Sequence, residues 1–517
     1  MLAKLTVEPN KWFKYKSETP IEPGTYFWFM GHPPKGPKGE TLKKKLGLIA
    51  AQCGREFRWL APFEPWVKRF VDGMFDPLPP LTLKPDWSLI GINPSLPRSW
   101  QRELVREAWN YLGRKMQYRK GWIAPLGAGK TLGGLLISQL YEANETAVLA
   151  SRYLHETWRS QAEEWGFNSP LISTYESVHK LPESVKCLII DESVSTKNPD
   201  AQRTKRIVEL SQRCETVIGF TGIPTAGGGP PDWRWLRAVN PGCVPADMKA
   251  WQFAWGLDTQ LKEVGPNKAY ITEQWDHAAI SAFISPYVHT VDLAEIAAEM
   301  PEITYNFITC PQPTDYSSIQ AGAGTTSGTH KRLAQCLQAT DGFIYNDDDQ
   351  PVRFMSPKLH AIKEWVETLN EPVILVGAWT ETVNQLAEMF TDHWPAVVSG
   401  ATANPGREIE RFKSGHTHLM IVNAGYSKGM NLQKVCRVIG FCSVSSKPDD
   451  LQQMIGRVAR PGQRDGVTIN FFCCENSLDR RRIELVQKHR DCSDTFIDRL
   501  LEEELCKHFG SAEKIGN

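Results

Sequence analysis

The chain has 517 residues, enough for roughly two to four domains. Its 41% hydrophobic and 23% charged content is ordinary for a soluble globular protein, and no uncharged apolar run reaches the ~18 residues that a membrane span needs. The formal net charge is zero, so any hold on nucleic acid must come from local basic surface and not from the field of the whole molecule.

Residues 1–90 are rich in aromatics, lysine and proline. GTYFWFMG reads as a strand and PPKGPKGETLKKK as an exposed basic loop. Within residues 1–120, 21 Lys+Arg stand against 11 Asp+Glu, an excess of 10. Trp12, Phe13, Tyr15, Tyr26, Phe27 and Trp28, with lysines between them, suit a small β domain with an aromatic core. They equally suit bases stacked beside held phosphates, with Lys43–Lys45 the foremost DNA-touching group. Prolines from Pro77 to Pro85 mark a linker. A helix-period stretch, SWQRELVREAWNYLGRK, follows Pro97.

From about 121 to 243, GWIAPL, TAVLAS, SPLISTY, KCLIIDE and TVIGFTG read as buried strands between helical stretches. That alternation predicts an α/β fold with a parallel sheet covered on both faces. Residues 244–355 break the pattern with a Trp- and Ala-rich stretch, AGAGTTSGTH and the acidic turn NDDDQP. They are expected to form a largely helical insertion. The alternation resumes from 356 with PVILVGAW, PAVVSGA, HLMIVNAG, CRVIGFC and VTINFFC, a second parallel-sheet domain. The expected divisions are therefore 1–90, 91–243, 244–355, 356–475 and a helical tail, 476–517.

The twelve cysteines are scattered, without a CxxC pair. This suits reduced, buried thiols in a cytoplasmic setting. The opening MLAKLTVEPNKWFKYK lacks the apolar core of a signal peptide, so the expected protein is neither secreted nor membrane-bound.

APLGAGKT, ending at Thr131, follows a predicted strand and precedes a predicted helix. Gly127, Ala128 and Gly129 would let main-chain N–H groups approach phosphate oxygens at a helix N-terminus. Lys130 would reach the β- and γ-phosphates of ATP, and Thr131 would hold Mg²⁺ through its hydroxyl. Asp191, at the tip of CLIID, is suited to organise the same Mg²⁺. Glu192 next to it can accept a proton from the attacking water. Thr221 and Gly222, after another strand, suit a link from the nucleotide to the track or the second domain. In QMIGRVARPGQ, Arg457 and Arg460 stand at i and i+3 and are expected on one helical face. At least one is expected to act as an arginine finger, the other reading being a contact to acidic surface or nucleic-acid phosphate. Gln453, one turn earlier, would face the same cleft. Gln101, one helix before the phosphate loop, has an amide that can both donate and accept, which suits the adenine edge.

Taken in order, these stretches resemble superfamily-two helicases, and among them the Swi/Snf-type DNA translocases. APLGAGKT is similar to motif I and DESV to motif II. TWRSQAEEW, STYESV, DESVSTKN, FTGIPTA, NAGYSKGMNLQ and QMIGRVARPGQ are similar to further motifs between about Pro97 and Gln463. The resemblance implies two tandem RecA-like domains that trap one ATP with Mg²⁺ between them. It implies movement along DNA, duplex favoured, with branched or single-stranded DNA also open. It adds Gly429 to the nucleotide contacts. It implies track contacts at Arg152, Tyr175 and Thr221 in the first domain, and at Ser399 and Lys428 in the second. Ser193 and Val194 replace the family's Ala-His in motif II, so coupling of ATP to the track is expected to be weaker or routed differently. A strand-separating helicase on DNA or RNA, and a catalytically silent nucleic-acid clamp, are the alternative readings. Protein partners are not legible.

Overall fold

The computed structural model describes residues 79–488, except 126, 223, 225–230, 265–266, 293–295, 297, 322–328, 347, 427–429 and 446–447. It also describes 64–72 and five strands before residue 63. Backbone contacts divide the chain into two units. One runs over residues 1–291 apart from 125–128 and 226–229, the other over 292–517 together with those two segments.

The first unit opens with β1 (Ala3–Thr6), β2 (Phe13–Lys16), β3 (Tyr26–Met30), β4 (Ile49–Cys53) and β5 (Glu56–Pro62). They form an antiparallel sheet in the order β1-β3-β5-β4-β2. The expected strand in GTYFWFMG is β3. The basic loop with Lys43–Lys45 lies outside the described residues.

Next come β6 (Tyr118–Ile123), β7 (Thr146–Leu149), β8 (Leu171–Ser173), β9 (Cys187–Ile190) and β10 (Thr216–Thr221). A hairpin follows, β11 (Gln260–Val264) and β12 (Asn267–Ile271), and then β13 (Val288–Thr290). Strands β6 to β10 and β13 build one parallel sheet in the order β13-β6-β10-β9-β7-β8. Ala147, Leu149, Leu188, Ile190 and Val217 pack into a single cluster on one face. Their neighbours Val148, Ile189 and Ile218 are equally buried. A sheet buried on both faces needs continuous apolar strands, and that is why CLII and TVIGFT lack a polar alternation.

The second unit holds β14 (Ile303–Cys310), a small hairpin of β15 (Phe343–Tyr345) and β16 (Pro351–Arg353), β17 (Val373–Gly377), β18 (Ala396–Val398), β19 (Leu419–Asn423), β20 (Val438–Phe441) and β21 (Val467–Cys474). Its six-stranded sheet runs β14-β21-β20-β17-β19-β18, again all parallel. Ile374 and Val376 of β17 enter one core cluster, while Val373 and Leu375 enter another. Alternate residues of one strand therefore fill the two faces. Helix starts are fixed locally. Asn404 accepts from the Arg407 N–H at 3.1 Å, and Ser356 from the Leu359 N–H at 3.4 Å, each just before a proline suited to the first helical position.

The two parallel-sheet units agree with the expected α/β class. The expected insertion, 244–355, is divided differently. The units part at 291/292, β13 joins the first sheet, and β14 joins the second. Both are edge strands, and four consecutive residues of β14 are exposed. Their sequences thus lack the apolar run that announces a central strand. The tail begins with a helix, Leu478–Lys488, and its remainder lies outside the described residues.

Candidate nucleotide site

The phosphate-loop segment leaves β6 at Ile123, and the Ala124 N–H still pairs with the Thr221 carbonyl at 2.9 Å. Gly127 and Gly129 have φ of 79° and 85°, in the left-handed region that residues with a Cβ seldom adopt. Helix Lys130–Ser138 starts directly after them. Gln101 is buried under this loop. Its Nε2 donates to the Gly129 carbonyl at 2.9 Å, and its Oε1 accepts from the Arg98 N–H at 2.8 Å. A Cβ on Gly129 would stand 2.7 Å from that Nε2. Gln101 therefore braces the loop, and its carbonyl is engaged by the chain's own backbone.

Lys130 Nζ donates to the Ala124 carbonyl at 3.1 Å and lies 3.6 Å from Glu192 Oε1. Glu192 has φ of 54°, a left-handed conformation held by a non-glycine residue, of the strained kind that gathers at functional sites. Asp191 is buried at the end of β9. Its Oδ2 accepts from the Trp158 indole N–H at 3.2 Å. Thr131 sits half-buried in the first turn of the phosphate-loop helix. A Cβ at Gly222 would meet Lys130 Nζ at 3.3 Å, so the turn after β10 lies against the lysine head.

Two of the expected track contacts, Tyr175 and Thr221, have buried side chains. The Tyr175 ring is buried and its hydroxyl donates to the main-chain carbonyl of Asp191. Thr221 is fully buried at the end of β10. Arg152 is exposed in the short turn Arg152–Leu154. Ser193, which with Val194 stands in place of the Ala-His pair, is fully buried, and its Oγ donates to the Phe220 carbonyl at 3.2 Å.

In the second unit, helix Pro448–Ile455 carries Gln453 and stops before the arginines. Arg457 and Arg460 therefore lie in the turns that follow and not on one helical face, as expected from their spacing. Gly456, Pro461 and Gly462 supply the break. Arg460 Nη1 donates to Asn431 Oδ1, and the Leu432 N–H donates to the Arg457 carbonyl at 3.1 Å. The NLQ stretch is thus bound to the arginine turn. Burial, and then the neighbouring charge of Arg457, push the Arg460 guanidinium down to about 10. Among the described residues, Gln453 Oε1 and Arg460 Nε are buried without a hydrogen-bond partner. The Arg460 Nε–H is a donor and suits an anionic ligand, whereas Gln453 Oε1 is an acceptor and calls for a donor group. Ser399 is largely buried, its Oγ turned toward Thr402 and the Ala401 N–H. Lys428 and Gly429 lie outside the described residues.

Trp158 is not singled out as a site residue by the sequence reading. Trp158 carried a signal: it is a buried tryptophan on a helix, His155–Glu164, that is otherwise polar and charged.

Comparison with known proteins adds a class for the second unit. Residues 357–462 match the family described as helicase conserved C-terminal domain. The chain is similar to the ATP-dependent RNA helicase DBP2 of Chaetomium thermophilum, 24% identical over 206 residues. That stretch is 39% of this chain and 35% of the relative, so the chain spans about a third of the curated protein's length. Among solved structures, the Sulfolobus solfataricus SWI2/SNF2 ATPase core in complex with dsDNA is similar over 80% of this chain and 96% of its own, with 17% identity and a TM-score of 0.32. The helicase domain of Pyrococcus furiosus Hef is similar over 76% and 98%, with 12% identity and a TM-score of 0.42. The C-terminal part of the Fun30 ATPase domain covers 40% and 98%, with 14% identity and a TM-score of 0.33.

Proposed function

We propose that this chain is a DNA-dependent ATPase that moves along duplex DNA and remodels protein–DNA or branched structures. The carrying observation is the approach of Lys130 Nζ to Glu192 Oε1, 3.6 Å, at the mouth of a phosphate loop with two left-handed glycines. A lysine and a carboxylate pair set against such a loop are what phosphoryl transfer requires. ATP would lie along Gly127, Ala128 and Gly129 with Lys130 on its β- and γ-phosphates. The Thr131 hydroxyl and the Asp191 carboxylate are hard oxygen donors that suit Mg²⁺. Bound Mg²⁺ would neutralise charge on the phosphates. Glu192 would take a proton from the attacking water. Arg457 and Arg460 are assigned to the charge that builds on the γ-phosphoryl group, with Gln453 and Gly429 beside the nucleotide. The Arg460 Nε–H, buried without a hydrogen-bond acceptor, supports that assignment.

On the track we keep Arg152, which is exposed, and Lys428. No described helix is long and apolar enough to cross a membrane. The nine described cysteines are free and buried, which supports a reducing compartment such as the cytoplasm.

A second reading, a strand-separating helicase on RNA or DNA, is favoured by the similarity to an RNA helicase. A displacement assay separates the two. A translocase given ATP strips a third strand from a triplex while leaving the underlying duplex paired. A helicase instead releases one strand of a tailed duplex. If ATP drives neither, the remaining reading is the silent clamp.

A further inference from the structure

Asp191 is held from two directions by aromatic side chains. Trp158 lies on helix His155–Glu164, which runs without a break out of the turn bearing exposed Arg152. Its indole N–H reaches Asp191 Oδ2 at 3.2 Å. Tyr175 lies in the loop after β8, where the Ser177 N–H closes a turn on the Thr174 carbonyl at 3.1 Å. Its hydroxyl holds the main-chain carbonyl of the same Asp191. The next peptide leads into Glu192, whose φ of 54° makes its carboxylate direction depend on how that carbonyl is turned. Both aromatic rings are buried, so each moves only with the backbone that carries it. Ser193 is turned into the sheet, toward the Phe220 carbonyl, and offers no such path to the surface.

Resting on the ATPase reading of Asp191 and Glu192, we infer that Trp158 and Tyr175 are positioning residues that couple nucleic-acid contact to the motif II carboxylates. Contact near Arg152 shifts the helix that carries Trp158, and contact at the Thr174–Ser177 turn shifts Tyr175. Trp158 sets the Mg²⁺-binding oxygen, and Tyr175 sets the peptide that aims Glu192. Neither touches ATP. Partners that orient a metal-binding carboxylate typically tune metal affinity by about 10- to 100-fold.

Two conservative variants of the full chain test this. Tyr175→Phe removes one hydroxyl, and Trp158→Phe removes one indole N–H with part of the ring. Phosphate release is measured with and without a 40-base-pair duplex DNA, across a Mg²⁺ titration, with duplex affinity read by fluorescence anisotropy. For Tyr175→Phe we expect the ratio of stimulated to unstimulated rate to fall about fivefold or more, with duplex affinity within about twofold. For Trp158→Phe we expect the Mg²⁺ concentration at half-maximal rate to rise about tenfold. Melting temperatures of both variants are measured alongside. A change in melting with the stimulation ratio and Mg²⁺ requirement intact means a purely structural role and overturns the inference. If the unsubstituted chain is stimulated by DNA and both variants match it, coupling through Asp191 is wrong while the ATPase reading stands. If the unsubstituted chain releases no phosphate at all, both fall together.

Discussion

At the scale of single residues, Glu192 and Arg460 carry the sharpest expectations. Glu192 sits in a left-handed conformation beside the Lys130 ammonium, a costly posture for a residue with a Cβ. As the proposed base, Glu192→Gln should keep ATP binding and lose about 10²-fold or more in turnover, measured by nucleotide-binding fluorescence and steady-state phosphate release. Unchanged turnover would remove the role. Arg460 is a half-buried cation pushed down by desolvation and by Arg457, so a phosphate oxygen would relieve its environment. Arg460→Ala should cost about 10³-fold in rate with DNA affinity nearly intact. A variant that lost mainly DNA affinity would move the residue onto the track.

At the scale of elements, the phosphate-loop helix is set by two tryptophans. A Cβ at Gly133 would stand 2.8 Å from the Trp100 ring, and one at Gly134 would stand 2.7 Å from the Trp158 ring. Both glycines weaken the helix in isolation, and both are required by close approach. Gly134→Ala should destabilise the chain by about 1–3 kcal/mol in chemical denaturation, through overpacking against Trp158. An unchanged midpoint would mean that the indole has room to move. The helix Ser99–Leu112 that carries Trp100 also carries Glu107, buried in a cluster with Lys120, His289 and Tyr118. Burial pushes its carboxyl up, but His289 and Lys120 outweigh that and hold it below its ordinary 4.5. A depressed carboxylate contributes stability above its unfolded value, and that stability is lost as pH falls through the folded value. The stability gap between the unsubstituted chain and Glu107→Gln should therefore narrow as pH drops below about 4.5, followed by urea melts at several pH values. A gap constant with pH would show that the carboxylate charge does not matter. In the second unit, fully buried Lys358 bridges Asp341 at 2.7 Å and Asp479 at 3.0 Å. Lys358→Met strands two carboxylates and should cost about 3–5 kcal/mol. A loss under about 1 kcal/mol would indicate that the two acids simply take up protons.

At the scale of the whole molecule, what could be read from the sequence follows burial. Every central strand was legible because both faces are covered, as in Val373–Gly377 and Cys187–Ile190. The edge strands β13 and β14 were not, because exposure lets polar residues in, as at Thr304 and Asn306. Glycines and charges gave away the phosphate loop, since Gly127, Gly129 and Lys130 have few other reasons to stand together before a helix. Side-chain partners that reach across the fold are not legible in the sequence. The Tyr175 and Thr221 side chains are buried, and the Gln101 amide binds the loop backbone. Spacing alone put Arg457 and Arg460 on a helix that in fact ends at Ile455. The claim common to all of this is that the chain hydrolyses ATP in response to nucleic acid. Phosphate release from Mg-ATP, measured alone and with duplex DNA, single-stranded DNA and RNA, tests it most directly. The account predicts a slow unstimulated rate raised at least about tenfold by duplex DNA, and less by the other two. No phosphate release with any of the three would contradict it.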